Sequence, residues 1–270
     1  MRILGVDVSH WQDHIDWSKF YAGGVRFATV KCSQGDYLLD NMRADHLKGA
    51  YDTGMATGAY PWIDPLMTPE ANGNKALEAI KNLPVSYITP DMEQWWTDWI
   101  AYGKWNKDPQ HYPMPPKFDK AKLANHSKLM IQWFEKNFSG PTITYSRTSF
   151  IKFYMPEFAP FLANRKMYVA QYPREFPKGT KTTWENLPNY MPPPAWKPIL
   201  PDPKTDGRMI QWSGDTFIVP GYNRVIDMDY FDGTEEDMKT FLGATLNPPI
   251  IPTHEEKVEI LWKEYLKTHI

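Results

Sequence analysis

Eight short apolar runs, each of strand length, constrain this chain more than any other feature of its sequence. In order they are "ILGVDV" (3–8), "VRFATVK" (25–31), "MATGAYPW" (55–62), "VSYITPDME" (85–93), "TITYS" (142–146), "MYVAQY" (167–172), "RMIQWS" (208–213) and "RVIDMDYF" (224–231). Segments of helical pattern lie between several of them: 40–53, 68–82 with Thr68 as N-cap and Pro69 in the first turn, 118–138, and 234–242 starting at Thr234. Strands alternating with helices predict an α/β fold with a mostly parallel sheet and crossover connections, and eight strands match the count of a closed barrel. A chain of 270 residues is long enough to bury one such core and still carry a small appendage.

Two stretches interrupt the alternation. Residues 94–117, "QWWTDWIAYGKWNKDPQHYPMPPK", and 173–207, rich in Pro, Trp and Lys, are too long and polar for simple connectors; their aromatic content predicts ordered, substrate-facing loops. The expected organisation is a barrel over 1–243, a proline-rich linker over 244–252 and an amphipathic helix over 253–270. That helix has a capping box in Thr253 and Glu256, and an apolar stripe of Val258, Leu261, Trp262, Tyr265 and Leu266. So short a helix needs a partner for its stripe, which leaves docking on the barrel, pairing with a second copy, or contact with another protein.

The charge balance removes whole classes of partner. Lys and Arg total 30 against 32 Asp and Glu, a formal charge of -2, so there is no electrostatic footprint for nucleic acid or an anionic membrane. No apolar run is long enough to span a bilayer. The opening "MRILGVDVSHWQ" reads as a first strand rather than a signal peptide, so the expectation is a chain made in the cytoplasm that needs another exit route for work outside the cell. A single cysteine, Cys32, excludes an intramolecular disulfide framework and reads as a core thiol. Carboxylates alone can hold a hard cation, but no H-E-x-x-H, paired Cys or EF-hand loop supports a metal site. Neither a G-x-S-x-G elbow nor a glycine-rich phosphate loop is present, and no cofactor is expected.

Acids mark three of the strand runs near their carboxyl ends: Asp7 in the first, Asp91 and Glu93 in the fourth, Asp227 and Asp229 in the last. In an extended chain Asp91 and Glu93 share a face while Met92 points away. Two carboxyls that close push their pKa values apart, which suits acid-assisted bond cleavage. In a parallel barrel the inward face at the strands' carboxyl ends is where active sites form, so acids converging there are more specific than one D-x-E. For Asp229, capping or binding backbone amides is an equal alternative to a role in the site. His10, beside Trp11, reads either as a hydrogen-bond partner for substrate or as an ordinary turn residue. Aromatics make up 15% of the chain, with 12 Trp and 15 Tyr, and such rings suit sugar faces. Paired carboxylates with aromatic loops point to glycoside cleavage.

The ordered motifs "GVDVSHWQ", "VRFATVKCSQG", "GAYPW", "PDMEQ", "TYS", "VAQY", "IQWS" and "VIDMDYFDG" across residues 3–242 resemble glycoside hydrolase family 25, the Chalaropsis-type lysozymes of bacteria and phages. The resemblance implies an irregular, flattened (β/α) TIM-like barrel that hydrolyses the β-1,4 bond between N-acetylmuramic acid and N-acetylglucosamine in peptidoglycan. By position Glu93 matches the general acid and Asp91 its partner carboxylate, acting through the substrate's 2-acetamido group, as a nucleophile, or on water. Asp7 and Asp227 match the family's further acids, and Tyr145 a tyrosine of the site. Tyr60, Trp62 and Trp212 are expected to line the sugar groove, core packing being the alternative for each; Asp229 and His10 complete the candidate substrate-binding set. The implied setting is lysis or penetration of a bacterial wall by a phage or prophage enzyme, released by lysis or carried on the virion, with residues 253–270 as a self-association or virion contact. The competing readings are an inactive glycan-binding or structural module and another barrel glycosidase of chitinase-like type.

Overall fold

The computed structural model describes residues 1–173 and 182–244. Alternation in its first strand, β1 (Arg2–Val8), sets the pattern for the rest: Val6 and Val8 pack outward in one apolar layer, while Ile3 joins a separate inner cluster and Asp7 lines an inner cavity. The chain continues through α1 (Trp17–Ala22), β2 (Val25–Gln34), β3 (Leu38–Leu39), α2 (Arg43–Asp52), β4 (Ala56–Trp62), α3 (Pro69–Ile80) and β5 (Tyr87–Ile88). Then come α4 (Trp99–Lys107), α5 (Lys120–Asn137), β6 (Thr144–Ser146), α6 (Thr148–Tyr154), β7 (Lys166–Ala170), β8 (Thr182–Thr183) and α7 (Leu187–Tyr190). β9 (Asp206–Ile218), β10 (Val225–Asp232) and α8 (Glu235–Leu242) complete it.

The sheet runs β5-β4-β2-β1-β10-β9-β7-β6, with β3 on β2 and β8 on β9. Its two edges meet: isolated bridges join Ile88 to Thr142 and Asp91 to Tyr145, with Ile143 N donating to Ile88 O at 2.9 Å and Met92 N to Tyr145 O at 3.1 Å. The ring is therefore an α/β barrel, irregular because β5 has two residues and the seam rests on single bridges. The expected parallel order holds except at the short β3, antiparallel to β2, and at β10, which is antiparallel to both β1 and β9. The segment between Ile218 and Val225 is too short for a crossover and can only turn back as a hairpin. In consequence Asp227 sits near the amino end of its strand, not the carboxyl end, and reversal brings it opposite Asp7; Asp229 pairs with Gly5 one step deeper, and Phe231 with Ile3 at the floor.

Inside, the barrel is apolar below and polar above. Ile3, Phe27, Met209 and Phe231 fill the floor with Met238, Phe241 and Leu242 of α8. Gly5 and Gly58 lie on this inner face because a Cβ would overlap the rings of Phe27 (2.2 Å) and Tyr87 (2.1 Å). Outside, one layer seats Trp17, Phe20 and Leu47 against β1, β2, β9 and β10, and another seats α3, α5 and α6 against the opposite wall. The caps read from sequence are present: Thr68 Oγ1 accepts from Ala71 N at 3.1 Å, and Thr234 forms a reciprocal capping box with Asp237.

Helices α1, α4 and α6 and the two-residue strands β3 and β8 carry too little pattern to have been read from sequence, whereas β5 falls within the fourth apolar run. Residues 94–117, expected as a loop, contain α4, which buries no side chain fully; it is held by rings, with Tyr102 stacked on Trp96 at 3.6 Å and Trp105 edge-on to Trp95 at 5.7 Å. The linker and terminal helix expected over 244–252 and 253–270 lie, from residue 245 on, outside the described residues. Among the described residues no helix is long and apolar enough to cross a membrane.

Candidate active site

At the polar end of the barrel Asp7, Tyr60, Asp91, Glu93, Tyr145 and Asp227 line one cavity, together with Thr29, Thr89, Tyr168 and Gln211. Each reaches it by the parity of its own strand. Pro61 O accepts from Asp91 N at 3.0 Å and Asp91 O from Ile63 N at 3.0 Å, so the seam segment is clamped to β4 just where its carboxylates turn inward. Met92, the residue between them, is buried in the outer layer against the helices.

Gln211 organises the cluster. Its Nε2 donates to Asp7 Oδ2 at 2.7 Å and to Asp227 Oδ2 at 3.4 Å, while its Oε1 accepts from the hydroxyls of Tyr145 and Tyr172, each at 2.9 Å. Tyr168 adds a hydroxyl to Asp7 Oδ2 at 3.3 Å, and Asp215 N donates to Asp227 Oδ1 at 2.7 Å. An amide suits this position because it donates and accepts at once, holding acids and phenols together without adding charge.

Burial dominates the electrostatics. It pushes the Asp7 carboxyl up to about 6, against the pull of the Gln211 and Tyr168 hydrogen bonds. Asp91 is driven well above the ordinary carboxylate range by burial and then by the charge of Glu93, and its Oδ1 is buried without a protein partner. Glu93 is also raised by burial, but Arg147, the Trp62 indole and Lys31 all favour its ionised form. Asp227 and Asp229 are raised well above the usual range by burial, with the charge of Asp7 next. Among the described residues no three or more His, Cys, Asp or Glu side chains are arranged to hold a metal ion.

Three of the residues expected to bind substrate lie elsewhere. Trp212 is 0% exposed and packs outward beside Phe217, ring centroids 5.2 Å apart; its neighbour Gln211 takes the inward register, so strand parity excludes both from the same face. Asp229 is also 0% exposed and sits beneath the cavity, beside the Tyr168 hydroxyl and the Asp7 carboxyl. His10 is held to Asp40, its Nδ1 2.8 Å and its backbone N 3.0 Å from Asp40 Oδ2, which fixes the turn that carries Trp11. Trp62 is only 9% exposed and stands behind the cavity wall, its indole on Glu93 and its ring 5.6 Å from that of Trp99 on α4.

Gln211, Tyr168, Tyr172 and Arg147 were not anticipated as site residues. Gln211 had a signal in its favour: it is the polar residue between Ile210 and Trp212 in an otherwise apolar run, and core positions reject an amide unless it has partners. The phenols and Arg147 had none, because their proximity arises from strands far apart in sequence.

Known proteins share this fold and parts of this sequence. In solved structures, the fold is similar to the bacterial lysozyme of Streptomyces coelicolor, with a TM-score of 0.64 and 17% identity over 89% of this chain and 96% of that one. In sequence, residues of this chain are 36% identical to Lysozyme M1 of Streptomyces globisporus over 63 residues, which is 23% of this chain and 21% of that protein. A longer match, 22% identical over 92% of this chain and 76% of the other, is to the uncharacterized protein YegX of Escherichia coli K12. The sequence profile of the glycosyl hydrolases family 25 matches residues 6–190, more than half of the chain, and the chain belongs to that family.

Proposed function

We propose that this glycoside hydrolase is a peptidoglycan muramidase, cleaving the β-1,4 bond between N-acetylmuramic acid and N-acetylglucosamine, with Glu93 and Asp91 at the reacting centre. The observation that carries the reading is the convergence of Asp7, Asp91, Glu93 and Asp227 on one aromatic-walled cavity. Family membership supports it, as do the lysozymes among the similar proteins.

The unpartnered Asp91 Oδ1 supports one division of labour between the pair. Without substrate, Asp91 is the more deeply buried acid; Lys31 and Arg147 favour the charged form of both, but Glu93 alone also has the Trp62 indole, so the shared proton favours Asp91. A 2-acetamido N–H brought against Asp91 Oδ1 supplies the missing donor. Asp91 then ionises, orients the acetamido oxygen toward the anomeric carbon, and leaves the proton on Glu93 for the departing glycosidic oxygen. Asp7 and Asp227, cross-linked by Gln211, hold the opposite wall and its charge. The setting that goes with this reading is a bacterial cell wall attacked by a phage or prophage enzyme, with residues 253–270 serving attachment or self-association.

The test is product analysis. Purified chain should release fragments with a muramic acid reducing end from peptidoglycan, and Glu93→Gln should abolish release while retaining the wild-type circular dichroism. An N-acetylglucosamine reducing end would identify a different bond, and inactivity on several wall types would leave a glycan-binding module.

A further inference from the structure

Near the catalytic cavity lies a shallow surface hollow lined by Arg147, Ser149, Phe150, Lys152, Phe153 and Tyr154. It is built by α6, which follows β6 directly, so the strand that sends Tyr145 into the cavity delivers the hollow's side chains next. Phe153 is 56% exposed, so its ring is open to contact from solvent. Two lysines from the segment leading into α5 stand over that ring: Lys117 Nζ is 5.8 Å and Lys120 Nζ 4.7 Å from the Phe153 centroid. Arg147 lies over the Tyr172 ring at 5.4 Å and is close enough to Asp91 and Glu93 to stabilise their charged forms, which places it between the two hollows.

Four cations thus gather on an aromatic floor, and among the described residues none of Lys117, Lys120, Arg147 and Lys152 is ion-paired to a carboxylate. The nearest acid in sequence, Asp119, uses its side chain to cap α5, accepting from Lys122 N at 2.9 Å. The chain as a whole carries a formal charge of -2, so this positive field is local rather than general. Like charges held together repel, and an anionic ligand relieves the repulsion while forming charge-assisted hydrogen bonds.

We propose that this hollow is a subsite for the carboxylates of the peptide that peptidoglycan carries on muramic acid. The proposal rests on the muramidase reading. In that substrate the peptide hangs from the lactyl group of the very sugar whose bond is cut, so it must leave the cavity past the side chains at its mouth. Arg147 stands at that mouth and Lys152, Lys117 and Lys120 continue outward from it, while Phe153 and Tyr154 offer flat apolar contact to the aliphatic parts of the peptide. A wall phosphate polymer shares the negative charge but is not tethered at the scissile sugar, so adjacency to the catalytic carboxylates favours the peptide.

The experiment compares two substrates prepared from one wall free of phosphate polymers: peptidoglycan with its peptides, and the same glycan stripped of them by an amidase. The variants are Lys117→Glu/Lys152→Glu and the milder Lys152→Gln, neither touching the catalytic groups. The double variant should lower kcat/KM about tenfold on the peptide-bearing substrate, mainly through KM, with Lys152→Gln intermediate, and both should leave the stripped glycan unchanged. Added salt should narrow the wild-type preference. Equal loss on both substrates, or loss on neither, overturns the proposal. So does a loss seen only when walls retaining phosphate polymers are used. If wild type cleaves neither substrate, it is the muramidase reading itself that has failed.

Discussion

Asp7 offers the sharpest physical test, because its function and its contribution to stability should pull in opposite directions. Burial raises its carboxyl from 3.8 to about 6, so the folded chain holds a proton there over a range in which the unfolded chain has lost it. The stability that goes with that proton is fully present below pH 3.8 and is lost as pH rises through about 6. The full shift corresponds to about 3 kcal/mol, and because Asp7 lines an open cavity, contact with solvent reduces this to about 2 kcal/mol. Asp7→Asn keeps the shape and removes the charge. In urea unfolding at a series of pH values, the variant's advantage over wild type should grow by about 2 kcal/mol between pH 4 and pH 7 and then level off. Neighbour effects have the same sign, since the charge of Asp7 helps to raise Asp227 and Asp229. Hydrolysis should meanwhile fall. A difference between the two proteins that stays flat across that range, or wild type gaining on the variant as pH rises, would refute the view that burial controls this acid.

Other perturbations have distinct expected outcomes. Since burial raises both Asp91 and Glu93, the pH–rate profile should be a bell centred above the ordinary carboxylate range, falling on its alkaline side as the acid loses its proton; initial rates from pH 3 to 9 measure it, and a flat profile contradicts it. Gln211→Leu should lower kcat about a hundredfold and cost about 2–3 kcal/mol, because it leaves Asp7 and two tyrosine hydroxyls without their common partner; kinetics and urea melts report the two effects separately. Trp212→Ala should cost about 3–5 kcal/mol with little change in KM, whereas Trp62→Ala should raise KM with a smaller stability loss. Gly58→Val should overpack the barrel against Tyr87 and cost at least 1–3 kcal/mol, visible as a lowered Tm.

How far the sequence could be read depended on whether the signal was local. Strands of five or more residues announced themselves as short apolar runs, and helices α3 and α8 by caps that the structure retains at Thr68 and Thr234. The D-x-E pair could be read because both acids share one short segment, and Asp7 and Asp227 because acids in apolar runs demand an explanation. Strand direction could not be read from the residues within β10, whose pattern is the same in either sense; the short segment after Ile218 held that information. Trp212 shows the other limit. Its size and chemistry suited a sugar groove, but strand parity, once Gln211 is known to face inward, decides the matter without reference to either. The α4 segment failed for a related reason: rings stacked on rings leave no 3.6-residue apolar stripe to find.

The reversal of β10 also bears on how such a barrel can be joined to other proteins. β1 leaves the floor as β10 arrives there, Arg2 lies opposite Asp232, and Met1 O accepts a hydrogen bond from Gly233 N at 2.9 Å. α8 then covers the same floor, so Met1 and the last described residues share the end of the molecule remote from the cavity. Adjacent entry and exit points on one surface, here the start of β1 and the end of α8, are what a barrel needs to be spliced into a loop of a host protein. Such a graft would hold the barrel by its base and leave the open end free to meet a polymer too large to diffuse to it.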